Sequence, residues 1–467
     1  MLRLFRHYFS ARKALVFLAE AAAVALGCTV GAVAFGITLA PAAQPWSPLA
    51  FLILAAGFTT ALSYSLYLFD LYDFEVARED RKKCLKAIRA CGLAAAVMAI
   101  ATLAAPAGAL PRGAVLGGGL GALLGSLAIR AAAQALWGHP SRVLLVGNGE
   151  RVRALSDELK QAAGHAYEIR GVVDPGAVRV RQRYSQPGAV AGASEVLSLD
   201  EMAASLGADV VVRVADPNDE LQDPAGDALL ECRLRGRRVY DVAGFIERVL
   251  RRLPVGQLMA AELAYADEWV VTRTRRFFKR AFDIAVASVV ALCTLPVMVV
   301  VAVLVKLDSR GPIFYCQERV GQGGRGFRLW KFRSMRVDAE KDGAVWARPD
   351  DDRVTRVGRW LRQARLDELP QIFNVLAGDM SFVGPRPERP VFVRQIEREV
   401  PFYTLREAVK PGITGWAQIR YPYGASVEDA RRKLELDLYY VKNGTLLLDL
   451  AIIFHTVRHV LLGRGAR

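Results

Sequence analysis

The chain has 467 residues, of which 53% are hydrophobic and 23% charged, with 62 Lys and Arg against 47 Asp and Glu for a formal net charge of +15. That length suits two or three units with their own cores, and the composition excludes a purely polytopic transporter in favour of membrane segments joined to sizeable soluble parts. The basic excess fits anionic partners such as lipid headgroups, a lipid phosphate or a nucleotide diphosphate. No nucleic acid is expected, because the basic residues flank apolar segments instead of interleaving with aromatics.

Between Ala14 and Phe69 the one charged residue is Glu20, and Pro41 to Trp46 divides the run into two segments, each long enough to cross ~30 Å of hydrocarbon. Further apolar runs cover about Cys91 to Leu110 and Ala114 to Trp137. No small-residue cleavage signal stands out, so the first run is expected to be retained as an anchor. Arg3, Arg6, Arg12 and Lys13 precede the first segment, and Arg78, Arg81, Lys82, Lys83, Lys86 and Arg89 lie between the second and third. The opposite loops carry none and only Arg112, so the positive-inside rule predicts a four-helix bundle over 1–138 with both ends in the cytoplasm. Glu20 and Arg130 lie close enough to the cytoplasmic ends to snorkel out. Gly113, Gly117, Gly121 and Gly125 share one face of the fourth helix and would allow close packing.

The run Ser141 to Val152 reads as a strand, a glycine turn at Gly147-Asn148-Gly149 and a helix, Arg151 to Ala162. Strands follow at Tyr167 to Val173, Ala208 to Val214 and around Val239-Tyr240, which predicts a parallel, Rossmann-like α/β domain over 139–255. Its dinucleotide fingerprint is incomplete: Val152 takes the third glycine's place, and Asp174 lies beyond the usual ribose-binding spacing. The six cysteines (Cys28, Cys84, Cys91, Cys232, Cys293, Cys316) show neither paired nor metal-ligand spacing and read as reduced thiols.

After a linker, 256–274, the basic collar Arg273 to Arg280 opens a fifth apolar segment, 282–305, with Pro296 just past its middle. A second collar, Lys306 and Arg310, follows it. Basic residues on both sides predict a re-entrant, kinked helix that dips into one leaflet, with the proline removing a backbone hydrogen bond at the bend. The glycine-rich Gly321 to Gly326 lacks the lysine and serine of a P-loop and reads as a hairpin turn between Ile313-Tyr315 and Phe327-Trp330. Val354, Val357, Leu361 and Ala364 share a face among arginines, which suits a helix in an anionic headgroup layer; Leu446 to Leu462 reads the same way or as core.

Asp367 and Glu368 are adjacent carboxylates just behind Arg362 and Arg365, and Arg386 stands between Pro385 and Pro387. Neighbouring carboxylates repel, so such a pair usually shares a cation or a proton. Fixed arginines beside it suit a Mg²⁺-bound diphosphate. The bland alternative is dipole compensation in the first turn of a helix. Flanking prolines stiffen the loop that carries the Arg386 guanidinium.

Around this centre lie Lys279-Arg280-Ala281-Phe282-Asp283, Gly311-Pro312-Ile313-Phe314, Gln317-Glu318-Arg319-Val320-Gly321 and Lys331-Phe332-Arg333-Ser334-Met335 upstream. Downstream come Val409-Lys410-Pro411-Gly412-Ile413-Thr414-Gly415-Trp416-Ala417-Gln418 and Glu435 to Asn443. That ordered set, from Arg275 to Arg467, resembles the catalytic domain of the bacterial polyprenyl-phosphate sugar-1-phosphate transferases, the monotopic phosphoglycosyl transferases. The resemblance implies a mostly α (α+β) monotopic catalytic domain over 275–467, behind the membrane bundle and Rossmann-like domain of the long form.

It further implies transfer of a sugar-1-phosphate from a UDP-sugar, of glucose or galactose type, to undecaprenyl phosphate in the bacterial inner membrane, with the catalytic domain on the cytoplasmic side. Asp367 would be the nucleophile. Glu368, together with Asp367, would place Mg²⁺. Arg386, Arg365, Lys331 and Arg333 would reach phosphate, and Gln418 and Asp437 would line or support the site. Asn374 and Asp437 have equally good structural readings, and Trp416 reads better as a membrane-edge anchor than as a substrate contact. The family often has a serine just before the helix-bending proline, where this chain has Leu295 with Thr294 one earlier. Membrane lipids are expected partners, with a homodimer and other polysaccharide-assembly proteins left open. A sugar-nucleotide-modifying enzyme built on the Rossmann-like domain, or a non-catalytic organiser of polysaccharide assembly, are the alternatives.

Overall fold

Alternating stretches of apolar helix and α/β sequence fold here into two units, one ending at Phe245 and the other beginning at Ile246. The computed structural model describes residues 2–4, 7–9, 11–39, 48–68, 80–104, 112–137, 140–162, 167–175, 198–214, 225–258, 269, 272–339, 351–421, 424 and 426–461. The predicted break at Pro41 to Trp46, the basic residue Arg78, most of the 256–274 linker and the chain after Leu461 lie outside them.

Helices α1 (Ala11–Leu39), α2 (Pro48–Leu68), α3 (Asp80–Ala104) and α4 (Arg112–Trp137) form the predicted bundle in the first unit. Val24, Cys28, Leu54, Phe58, Leu62, Ala90 and Ala94 are among its buried side chains. The glycine stripe of α4 decides how α1 and α4 approach. A Cβ on Gly117 would lie 2.2 Å from the Gly27 carbonyl oxygen, and one on Gly121 would lie 2.6 Å from that of Ala23. Only backbone fits there, and dispersion at short range, not dehydration, holds helices together in lipid.

Two sequence expectations change. Arg81 to Arg89 belong to the first turns of α3 and not to a loop. Glu20 and Arg130 do not snorkel out: Arg130 Nη2 pairs with Glu20 Oε1 at 3.0 Å, and Ser126 Oγ donates to the same oxygen at 2.9 Å. Pairing between helices satisfies both charges where a long reach to water would have served one at a time. Among the described residues, α3 and α4 carry stretches long and apolar enough to cross a membrane, and the apolar stretches Leu15–Gly31 and Leu52–Leu66 are shorter.

The same unit holds a four-stranded parallel sheet of β1 (Ser141–Val146), β2 (Tyr167–Val173), β3 (Val210–Arg213) and β4 (Arg238–Asp241), in the order β2-β1-β3-β4. Helices α5 (Gly149–Ala162), α6 (Leu199–Ser205), α7 (Gly226–Leu234) and α8 (Val242–Leu250) connect or follow the strands. The glycine turn after β1 has backbone reasons. Gly149 has φ +75°, and a Cβ on Gly147 would strike the Val214 carbonyl at 2.5 Å. Val152, in the third-glycine position, is buried in the core.

The second unit begins at Ile246, earlier than the boundary read from sequence, because Leu253 and Val255 pack with Val393, Tyr403, Leu434 and Leu438. Its longest element is α9 (Arg273–Asp308), a continuous helix that includes Pro296 and is also long and apolar enough to cross a membrane. Beyond it, β5 (Phe314–Val320) and β6 (Gly326–Phe332) form the predicted antiparallel hairpin, with Gly323 and Gly324 at positive φ in its turn. Then come α10 (Arg356–Gln363), α11 (Gln371–Ala377), β7 (Ser381–Val383), α12 (Pro390–Glu397), β8 (Gly412–Thr414), α13 (Trp416–Arg420), α14 (Val427–Asn443) and α15 (Leu446–Leu461).

Both halves of α9 pack on this unit. Ala287 is buried with Leu329, Ile372, Val375 and Met380, whereas Met298, Val301 and Val305 are buried with Phe332 and Leu361. Leu292, Leu295, Val299, Val300 and Val303 stay exposed on its other side. Proline at 296 has no N–H for the Leu292 carbonyl. Two residues before it, the Thr294 hydroxyl donates to Val290 O at 2.7 Å, a back-bond that favours bending.

The apolar face of α10 is core and not headgroup contact, since Leu361 is fully buried while Arg356, Arg359 and Trp360 face out. Trp416 is core as well. It is 3% exposed, stacks on Tyr439 and donates its indole N–H to Arg251 O at 2.9 Å, so it is no membrane-edge anchor. Helix α15 divides its faces: Leu448 and Ile452 are buried, and Leu447, Leu450, Phe454 and Val457 are exposed.

Candidate active site

Asp367 and Glu368 lie in a short 3-10 turn, Leu366–Glu368, that precedes α11. They therefore do not sit in the first turn of an α-helix, and dipole compensation is not their setting. Arg365 opens the turn with φ 55°, a left-handed conformation that a non-glycine residue adopts at an energetic cost and that functional turns tend to retain. Pro370 then starts α11, and Gly378 at φ 98° ends it. Arg280 of α9 donates to the α11 carbonyls of Val375 and Leu376, the latter at 2.8 Å. The turn is thus anchored from below by a capped helix.

The two carboxylates have different environments. Glu368 Oε1 accepts from Arg386 Nη2 at 2.8 Å and from Lys331 Nζ at 3.3 Å. Burial alone would raise its pKa, but these two cations outweigh that and hold it well below the usual carboxylate range. Among the described residues no hydrogen bond reaches the Asp367 carboxylate, and its residue is 8% exposed. Burial, with the Glu368 charge beside it, pushes Asp367 up to about 6 against the pull of Lys331, Arg362 and Arg386. One carboxylate is bonded directly by fixed cations; the other is desolvated and feels the nearby cations only through space. Lys331 is in turn held below the ordinary lysine value by burial.

Arg386 leaves a loop set by two of the motifs. Strands β7 and β8 pair in parallel, with Gly412 opposite Ser381 and Thr414 opposite Val383. The glycines allow this approach: a Cβ on Gly384 would meet the Lys410 carbonyl at 2.3 Å, and one on Gly415 the Gly384 carbonyl at 2.2 Å. Below the loop, Arg406 Nη2 bonds the Arg386 carbonyl at 2.8 Å and pairs with Asp437 Oδ2 at 2.8 Å. Asp437 is buried on α14, and burial pushes it up to about 6 against that guanidinium. It therefore supports Arg386 from a distance and is no surface charge.

The other sequence-selected residues divide clearly. Arg365 adds to the positive field around Glu368. Arg333 does not join the cluster. Its Nη2 donates to Ser309 O at 2.7 Å and Ser309 Oγ at 2.9 Å, so the side chain that was expected on phosphate instead ties off the end of α9. Asn374 bridges α11 to β6, accepting from Trp330 N at 3.0 Å and donating to Arg328 O at 2.7 Å. Gln418 makes no bond to the carboxylate cluster, and its Nε2 is buried without a hydrogen-bond partner among the described residues. Pro296 lies within α9, apart from these bonds.

Two participants carried no assigned role in the sequence reading, Arg319 and Arg406. Arg406 is buried and Arg319 half-buried, both in irregular or edge positions where no periodicity marks them. The only signal was that Arg319 falls inside a motif.

Among the described residues no group of three or more His, Cys, Asp or Glu gathers, so the residues that could hold a divalent cation here are the two carboxylates, with phosphate oxygens completing its shell. Mg²⁺ is held by one or two carboxylates plus phosphate oxygens, and Asp367 with Glu368 supplies that number. The raised pKa of Asp367 marks a carboxylate that a cation would help to ionise.

Comparison with known proteins matches residues 274–463 to the family model described as bacterial sugar transferase. The chain is 45% identical over 257 residues to a UDP-N-acetylgalactosamine-undecaprenyl-phosphate N-acetylgalactosaminephosphotransferase of Aeromonas hydrophila, covering 54% of this chain and 60% of that one. It is 39% identical over 242 residues to an undecaprenyl-phosphate glucose phosphotransferase of Komagataeibacter xylinus, covering 50% of this chain and 46% of the relative. To a UDP-glucose:undecaprenyl-phosphate glucose-1-phosphate transferase of Caulobacter vibrioides it is 40% identical over 185 residues, 39% of this chain and 69% of that protein. The matches thus span about half the length of the first two relatives and over two thirds of the third. With the matched region holding Lys331, Asp367, Glu368, Arg386, Arg406 and Asp437, the chain belongs to the bacterial sugar transferase family.

Proposed function

We propose that this protein transfers a sugar-1-phosphate from a UDP-sugar to undecaprenyl phosphate, with Asp367 as nucleophile. The observation that carries the reading is the division between the carboxylates: Glu368 is clamped by Lys331 and Arg386, and Asp367 beside it is buried with no hydrogen bond to its carboxylate among the described residues. A desolvated carboxylate is the stronger nucleophile, and Arg386 and Lys331 supply the positive field that a diphosphate needs.

In the first half-reaction an Asp367 oxygen forms a bond to the β-phosphorus, and the bond from that phosphorus to the bridging oxygen breaks. The electron pair leaves with UMP, and the sugar phosphate stays on Asp367 as an acyl phosphate. In the second, an oxygen of the lipid phosphate attacks the same phosphorus and restores the carboxylate. Mg²⁺, held by Asp367 and Glu368, would supply charge neutralisation on the diphosphate. Arg386 orients phosphate oxygens, Glu368 fixes Arg386 and Lys331, and burial excludes water that would hydrolyse the intermediate.

For α9 we favour the re-entrant placement, with the catalytic unit on the cytoplasmic side of the inner membrane. Its support is that Ala287 and Val305, towards the two ends of the apolar stretch 282–305, are buried against the same unit, whereas a simple crossing of ~30 Å would separate them. The sugar-nucleotide-modifying alternative is disfavoured by the buried Val152 in the glycine turn.

The test is UMP release by the purified full chain with Mg²⁺ and undecaprenyl phosphate. The donors are UDP-glucose, UDP-galactose and UDP-N-acetylgalactosamine. Release with one donor, lost on chelation and in Asp367→Asn, is the expected result. Undiminished release by Asp367→Asn would overturn the assignment.

A further inference from the structure

We propose that Arg406 and Arg319 are positioning residues that fix the aim of Arg386 by gripping the backbone of its proline-flanked loop. The inference rests on the reading of Arg386 as a phosphate-orienting group. Neither Pro385 nor Pro387 has an N–H, so the loop cannot be held on either side of Arg386 through its own donors. It is held through its carbonyls instead. Gly412 N donates to Pro385 O at 2.9 Å and Val320 N to Glu388 O at 2.9 Å, so backbone amides secure the two outer positions. The two inner ones are each taken by a guanidinium, buried in Arg406 and half-buried in Arg319. Arg406 Nη2 donates to Arg386 O at 2.8 Å, and Arg319 Nη1 donates to Pro387 O at 3.0 Å.

Each guanidinium is itself fixed. Arg406 donates to Tyr403 Oη at 2.7 Å and pairs with Asp437 at 2.8 Å. Arg319 donates to Gln317 Oε1 at 2.7 Å and lies 3.6 Å from Glu388. Drawing one charge fully and a second partly out of water to hold loop carbonyls is an expensive device where fold stability alone is needed, since desolvation offsets much of the gain. Its geometric effect is specific. The bond from Arg406 falls on the carbonyl of residue 386 itself, whose side chain reaches Glu368, so it pins the backbone from which that guanidinium springs. A displacement of about 1 Å at a substrate-orienting group can cost about a hundredfold in rate. Lysine at either position would keep the charge and lose the planar fork.

The experiment is a pair of double-mutant cycles on the full-length chain, reading kcat/KM for the UDP-sugar donor together with thermal stability. Arg406→Lys and Arg319→Lys are each expected to lower kcat/KM by about 10- to 100-fold in the native background. In an Arg386→Ala background neither should cause more than about a twofold further loss, because the side chain they aim is gone. Losses that multiply in both backgrounds would overturn the positioning role, since a merely structural contribution would be felt with or without Arg386. Should Arg406→Lys fail to fold, the Arg319 cycle decides alone. Absence of any donor turnover by the unsubstituted chain would instead overturn the proposed reaction, and the positioning role with it.

Discussion

Replacing Asp367 with asparagine should make the metal-free protein more stable at neutral pH while abolishing turnover. The carboxyl is raised from 3.8 to about 6 by burial and the neighbouring Glu368 charge. A folded-state pKa above the unfolded one means that the native state binds the extra proton. Its stabilising contribution is therefore complete below about pH 4 and is lost as pH rises through about 6. The full rise corresponds to about 3 kcal/mol of strain in the ionised form. Asparagine is equally buried and needs partners of its own, so a gain of about 1–3 kcal/mol is expected at pH 8, or about 2–10 °C in the melting temperature of a unit this size. Melting curves in detergent at pH 4.5, 6 and 8, with EDTA present, measure it. The variant should be more stable at pH 8 and indistinguishable from the native protein at pH 4.5. Adding Mg²⁺ should raise only the native protein's melting temperature. A variant less stable at pH 8, or a difference independent of pH, would refute the claim that Asp367 is a buried carboxylate whose ionisation is opposed by its surroundings.

Glu368→Gln should act in the opposite sense. Glu368 is held low by Arg386 and Lys331, so its contribution is present at neutral pH and disappears only in acid. Losing it should cost about 2–4 kcal/mol at pH 7, read by the same melting curves. Gly121→Val should separate α1 from α4, because its Cβ would lie 2.6 Å from the Ala23 carbonyl; loss of the helical signal or aggregation on detergent extraction is the expected outcome. Arg280→Ala removes two donors from the carbonyls at the end of α11 and should lower stability by about 1–3 kcal/mol without changing the donor preference. Reporters fused before Arg273 and after Asp308 should report the same side of the membrane, and opposite sides would remove the re-entrant placement.

Local pattern made much of this protein readable. Apolar runs and basic flanks marked the bundle, strand–turn–helix alternation marked the sheet, and Gly321 to Gly326 marked its hairpin. The four-residue glycine spacing on α4 identified the face that meets α1. What pattern could not supply is which partner each side chain meets. Lys331, in β6, and Arg333, just past its end, are two apart and looked equivalent, yet one reaches Glu368 and the other Ser309, because the end of α9 lies beside the second. Asp367 and Glu368 had different roles from the family resemblance, but no local pattern showed that Arg386 from its loop and Lys331 from β6 both bond Glu368. Glu20 and Arg130 were read singly, although they meet across the 110 residues that separate them in sequence. Trp416 carried the composition of an interfacial anchor, and only tertiary packing on Tyr439 made it core.

The most direct measurement is the intact mass of the full chain after incubation with Mg²⁺ and the preferred UDP-sugar in the absence of any lipid acceptor. The account predicts a sugar-phosphate adduct on the native protein that peptide mapping locates at Asp367. It should disappear when undecaprenyl phosphate is added and never form on Asp367→Asn. Turnover that proceeds with no such adduct on rapid quenching, or an adduct on another residue, would contradict it.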